Sequence, residues 1–182
     1  MKFFELMDNS QLVEVLKGRY EHEQFRRNNF DNVIGLPVTI IALLIGGWSA
    51  FVFQAEQSWT MLKIGSTICT LTIGVSIFFL IRVFFGFRRE YDVLPTAQVI
   101  KNHYDKLVEY HRELAPSASI AELQEEVKVS FNEDLAKWYV ESSDKNCTIN
   151  DRRADCLHRS KLWLVLSLIA IFILVIYKTF TV

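Results

Sequence analysis

The chain has 182 residues, is 51% hydrophobic and carries a formal net charge of −1. That balance excludes the chain-wide basic footprint of a nucleic-acid binder and leaves any basic patch local. Its cysteines, Cys69, Cys147 and Cys156, give no zinc or disulfide spacing, because the last two would fall on opposite faces of a helix.

Hydrophobicity is concentrated in runs. Leu36–Phe53, Ile64–Ile81 and Leu162–Tyr177 contain no charged side chain. A bilayer-spanning helix needs about 20 mostly apolar residues, so the runs predict three spans, about Val33–Phe53, Thr60–Val83 and Leu162–Thr179. A chain this small cannot wrap three all-apolar helices in a soluble shell. Some thirty residues of charge-rich sequence precede the first run, which is not the short basic start of a signal peptide.

In chain order, Phe3–Leu16 predicts a short amphipathic helix, with Phe4, Leu12, Val15 and Leu16 on one face. After Gly18 the charged stretch "RYEHEQFRRNNFDNVIG" leads straight into the first span. Pro37, in that span's first turns, should kink the helix or mark its start.

The second span, "TMLKIGSTICTLTIGVSIFFL", is rich in small and hydroxylated residues. Ser66, Thr70 and Gly74 recur every four residues, with Thr60, Thr67, Cys69, Thr72 and Ser76 between and around them. Such residues let helices approach closely in lipid, so this is a packing helix or a pore-lining one. Lys63 is explained by snorkelling to the interface.

Beyond Phe87 glycine is absent. Pro95-Thr96 should open a helix that Ala115-Pro116-Ser117 stops. Ser119 with Glu122 forms a capping box for the next one. Ile120, Leu123, Val127, Phe131, Leu135 and Trp138 follow as a helical seam. Ser142, Ser143 and Asp144 could interrupt it. Nothing from Lys145 onward does, and Asp155–Arg159 is a helix-supporting i,i+4 pair, so one helix is expected from about Ile149 through Tyr177. The fold class expected is an all-α integral membrane protein: three transmembrane helices with a cytoplasmic helical hairpin. Its parts are residues 1–32 (N-terminal helices), 33–87 (transmembrane pair), 88–160 (cytoplasmic helices) and 161–182 (third span and tail).

Charge sets the expected orientation. Lys17, Arg19, Arg26 and Arg27 precede the first span, Arg82, Arg88 and Arg89 follow the second, and Arg152, Arg153, Arg159 and Lys161 precede the third. The connector Gln54–Trp59 has no Lys or Arg. The positive-inside rule puts the N-terminus and residues 88–160 in the cytoplasm and the C-terminus outside. Asn146-Cys147-Thr148, a glycosylation sequon, would then be inert. Trp48, Trp59 and Trp163 fall where an aromatic belt would lie.

Catalytic chemistry finds little footing, and no enzyme, metal site or cofactor is expected. His22-Glu23 lacks the second histidine of a zinc-protease motif, and no nucleophile elbow or phosphate-binding glycine loop occurs. His103 and His111 sit about 80° apart on one helix, an ordinary surface pair. The arginines are the remaining candidates. Arg26, Arg27, Arg88, Arg89, Arg152 and Arg153 cluster at the inner membrane face, where they fix topology and contact anionic lipid, or bind an anionic ligand in an oligomer that multiplies them around an axis. Glu21, Glu23, Asp31, Glu90, Asp151 and Asp155 are nearby acidic partners.

Two segments carry a family resemblance. "YEHEQFRRNNFDNVIG" (Tyr20–Gly35) resembles the approach to the first span in small bacterial membrane proteins of antiviral-defence systems. "LAKWYVESSDKNCTINDRRADCLHRSKLWLVL" resembles that family's second signature through Tyr139, Asn146, Asn150, Asp151 and Arg153. The likeness is to SLATT-type effectors accompanying nucleotidyltransferases and covers about a third of the chain; Asn32-Val33-Ile34 departs from the family's usual Lys and Ala. It implies a bacterial inner-membrane effector of abortive infection, gated by a nucleotide or oligonucleotide made by a partner nucleotidyltransferase. Three spans cannot enclose a pore in one chain, so a channel requires a cyclic homo-oligomer, expected to be a tetramer. Thr67, Thr70 and Gly74 of the second span, or Thr39 and Gly46 of the first, would line it. The alternative is a non-conducting scaffold that recruits a soluble partner through Ile120–Trp138.

Overall fold

A computed structural model describes residues 8–53, 60–85 and 91–181. Phe3 and Phe4, the connector Gln54–Trp59, and Arg88 and Arg89 lie outside the described residues. The elements are α1 (Asn9–Val33), α2 (Gly35–Phe53), α3 (Thr60–Phe85), α4 (Ala97–Leu114) and α5 (Ile120–Thr181), with no strand among the described residues. Three helical stretches are long and apolar enough to cross a membrane: Asn9–Ser49, Lys63–Phe85 and Ile120–Phe180.

Local sequence explains most of the boundaries. Pro37 has no amide hydrogen to give the carbonyl of Val33, and α1 ends at Val33 while α2 begins at Gly35. The Ile34 amide still bonds Phe30 O at 3.1 Å and the Val38 amide bonds Ile34 O at 3.2 Å, so the join is tight. Pro37 thus marks the start of the apolar helix. At α5 the capping box forms as the sequence predicts. The Ser119 amide donates to the Glu122 carboxylate at 2.8 Å, and the Glu122 amide donates back to Ser119 Oγ at 3.3 Å. The bond from the Ser119 amide, with a second from Ser119 Oγ to the same carboxylate at 2.8 Å, holds the Glu122 carboxyl below the usual carboxylate range.

α5 then runs unbroken for 62 residues. Ser142–Asp144 do not interrupt it. Ser142 and Ser143 are buried in place, and with no Gly or Pro in the segment the backbone has no local reason to leave the helix.

Two compact units emerge. One takes the described residues up to Arg26 together with Tyr91–Thr148; the other takes the described residues of Arg27–Glu90 and of Ile149–Val182. In the first, α4 lies against the early turns of α5. Val127 is fully buried, Tyr104 meets Phe131 edge-on with centroids 5.3 Å apart, and His103 lies 5.1 Å from Trp138. Two histidines add polar contacts: His103 Nε2 to Asp134 at 2.7 Å, and His111 Nε2 to Ser130 Oγ at 3.0 Å. As α4 advances from 103 to 111, its partners on α5 recede from 134 to 130, which makes the pair antiparallel. The seam Ile120–Trp138 is thereby used within the chain, through Val127, Phe131 and Trp138.

In the second unit α2, α3 and α5 meet. Trp48, Cys69 and Leu174 form a buried cluster, with Ala170 and Ile171 packed against it. Trp48 therefore serves as packing, unlike the interfacial belt position its place near a helix end suggests. Many outward-facing side chains of this unit are apolar: Leu43, Leu71, Phe78 and Phe172 are all more than half exposed. An exposed apolar surface of this extent needs lipid or another protein to cover it.

Candidate functional site

The buried residues of α5 in this unit are Ile149, Asn150, Arg153, Cys156, Leu157, Ser160, Leu164, Ser167 and Leu174. From Asn150 onward, with Ile149 and Cys156 flanking the line, the steps are threes, fours and sevens, the 3.5-residue repeat of helices that supercoil left-handedly. α3 presents a face of the same period, Cys69, Ile73, Ser76, Leu80 and Val83, all buried. The two faces meet antiparallel in a fixed register.

Polar groups mark the rungs. Ser76 and Ser160 bond reciprocally: Ser76 Oγ donates to Ser160 O at 2.9 Å, Ser160 Oγ donates to Ser76 O at 3.0 Å, and the hydroxyls lie 3.0 Å apart. One heptad along α5, Ser167 Oγ donates to Thr72 Oγ1 at 2.9 Å. One further heptad on, the Leu174 side chain fills the space where Gly65 has no Cβ. Small hydroxylated residues serve here for two reasons. They let the backbones approach, and each finds a bond that lipid could not offer. The hydroxyls of Ser76 and Ser160 bond each other and the facing carbonyls, an arrangement that suits close packing.

One heptad from Ser160 in the other direction stands Arg153. Its side chain is 5% exposed. Nε donates to Val83 O at 3.2 Å, a carbonyl in the last described turn of α3. One terminal nitrogen donates to Asp31 Oδ1 of α1 at 2.7 Å, and the guanidinium lies 5.2 Å from the centre of the Phe30 ring. Arg153 thus ties the end of α1, the end of α3 and the middle of α5 together, just where α5 changes from charged to apolar sequence.

The other expected ligand residues have varied settings. Arg26 spans both carboxylate oxygens of Glu23, at 3.0 and 3.2 Å, and touches Cys147 Sγ at 4.0 Å. Glu23 is itself buried, so that pair is internal to its unit. Arg27 is half-buried and Arg152 is exposed. Arg88 and Arg89 lie outside the described residues. Of the expected pore-lining residues, Thr39, Thr67, Thr70 and Gly74 are exposed in the protomer. The threonine hydroxyls bond back to their own helices, at Gly35 O, Lys63 O and Ser66 O. On α3 the face carrying Lys63, Thr67, Thr70 and Gly74 lies roughly 130° around the axis from the α5-facing seam. Among the described residues, no three His, Cys, Asp or Glu side chains converge as metal ligands would.

Sequence reasoning named Asp31 as a nearby acid but did not pair it with Arg153, and it missed the role of Asn146. The Asn146 side chain accepts from the Asp92 amide and donates to the Asp92 carbonyl, both at 2.9 Å. It fastens the segment before α4 to α5. The heptad spacing of Ser160 and Ser167 at the entry to the apolar run was the available sequence signal.

No protein-family model, curated protein or solved structure matches the chain.

Proposed function

We propose that the protein is an oligomeric inner-membrane effector of bacterial anti-phage defence, forming an ion channel or pore gated by a nucleotide or oligonucleotide signal. The resemblance of Tyr20–Gly35 and of the Tyr139–Arg153 signature supplies the defence setting and a partner nucleotidyltransferase as the source of the signal. The arginine distribution orients the chain with its N-terminus and residues 88–160 in the cytoplasm and its C-terminus outside.

The observation that carries the channel reading is the division of α3 into two polar faces. One, with Thr72 and Ser76, is consumed by α5. The other, with Thr67, Thr70 and Gly74, has nothing of its own protomer against it at Gly74. A packing helix needs only the first. In a ring of copies the second would turn to the axis and offer hydroxyls to a water-filled path. Among the described arginines of the cluster, the exposed Arg152 is the guanidinium best presented to an anionic signal, whereas Arg26 and Arg153 hold intramolecular partners and would respond through them. A scaffold acting through Ile120–Trp138 has less support, because that seam already packs against α4.

The test is current across liposomes containing the purified protein, with and without cyclic and linear oligonucleotides. Thr70→Leu should change conductance, and Arg152→Ala should abolish the ligand response with assembly intact. Absence of current under every ligand sinks the channel. Inverted insertion of the Arg152→Ala variant would reduce that arginine to a topology signal.

A further inference from the structure

α5 carries a groove of about 310 Å³ lined by His158, Lys161, Leu162, Val165 and Leu166. All five are exposed, and they share one helix face at steps of three, one, three and one. The groove begins at the charged-to-apolar change and spans about 12 Å along the axis. Its two ends differ in chemistry. His158 and Lys161 offer an imidazole and an ammonium at one end, and the remainder is a track of Leu162, Val165 and Leu166. No carboxylate is among the described residues that line it. The nearest acid on this stretch, Asp155, is held by Arg159 at 3.0 Å.

We propose that this groove seats one anionic phospholipid, its headgroup phosphate on Lys161 and His158 and an acyl chain along Leu162, Val165 and Leu166. The charge complementarity selects the occupant. Lys161 has three donors and His158 at least one, which suit a phosphate at the depth where headgroups lie, while the apolar track continues in the direction of the acyl chains. A protein partner would instead need apolar anchors at both ends. A purely apolar ligand would leave the ammonium without a counter-charge. The inference rests on the membrane reading of the chain but not on conduction.

Native mass spectrometry of the full-length protein, released from nanodiscs of mixed phosphatidylglycerol and phosphatidylcholine, counts the lipids retained. The wild type should keep phosphatidylglycerol in preference. Lys161→Gln should weaken retention about fivefold, His158→Gln/Lys161→Gln further, and Val165→Trp should block the track. Lys145→Gln, exposed but outside the groove, should leave retention unchanged. Equal retention of both lipids overturns the proposal. So does an equal loss with Lys145→Gln, which would mean a diffuse charge effect. Competition by glycerol phosphate as strong as by the intact lipid makes this a free-anion site. A changed subunit number in Val165→Trp with lipid retention intact assigns the face to a second copy. Alkaline carbonate extraction reports membrane integration separately, so failure of the membrane reading is distinguishable, and retention without current would leave the lipid site standing while the channel fell.

Discussion

Replacing Arg153 by methionine keeps most of the side-chain volume and removes the arginine's polar contacts at the three-helix junction. Three parts of the loss can be sized. The first is the ion pair with Asp31, discounted because Asp31 is 58% exposed; such a half-solvated pair contributes about 1 kcal/mol rather than the several of a fully buried one. The second is the bond to the Val83 carbonyl in the last described turn of α3, at about 1 kcal/mol. The third is the cation–π contact with Phe30, at about 0.5–1 kcal/mol. Together they come to roughly 2–3 kcal/mol, which for a chain of this size lowers an unfolding midpoint by about 5–10 °C. Asp31→Asn keeps an acceptor and removes the charge, for about 1 kcal/mol, and the pair should couple by about that much in a double-mutant cycle. The assay is the thermal midpoint of detergent-solubilised protein followed by size-exclusion chromatography. A midpoint for Arg153→Met within about 1 °C of wild type, or strictly additive single variants, would refute the junction. A normal midpoint with lost ligand response would restore Arg153 as a ligand residue.

Ser160→Leu should break the α3–α5 register, since the reciprocal bonds to Ser76 leave no room for a branched side chain; Ser76→Ala should cost only about 0.6 kcal/mol, the average for hydroxyl bonds between membrane helices, and equal midpoints for both variants would contradict the ladder. Gly65→Ile should lower the midpoint because the new side chain meets Leu174, whereas Gly74→Ile should leave the solubilised protomer as stable as wild type; a reversed order measured on the same column would remove the packing assignment. At the start of α5, the Glu122 carboxyl titrates below its ordinary range, so its capping contribution is complete above that range and is lost as pH falls through the lowered value. Amide exchange at Ser119, corrected for intrinsic rate, should accelerate on acidification in the wild type and be fast throughout in Glu122→Ala.

Much of the architecture was legible in the chain. The charge-free runs are long enough to span, Pro37 cannot continue the helix before it, and Ser119 with Glu122 announces the start of α5. The unbroken passage from "NDRR" into "LWLVLS" followed from the absence of any breaker. These are local properties, decided by backbone hydrogen bonds and side-chain transfer over a few turns.

What a residue does once it is in a helix was not legible in the same way. Thr70 and Ser76 read alike in the second span, yet one is exposed and the other fully buried against Ser160. Arg152 and Arg153 are neighbours in the basic run, yet one is exposed and the other is enclosed by Val83, Asp31 and Phe30. The sequence by itself determined that these helices exist and which stretches suit lipid. The tertiary structure decided which hydroxyl joins a seam and which guanidinium is locked. The reason is geometric. Adjacent helix positions point about 100° apart, and burial depends on partners from segments distant in the chain, whose register no local pattern specifies.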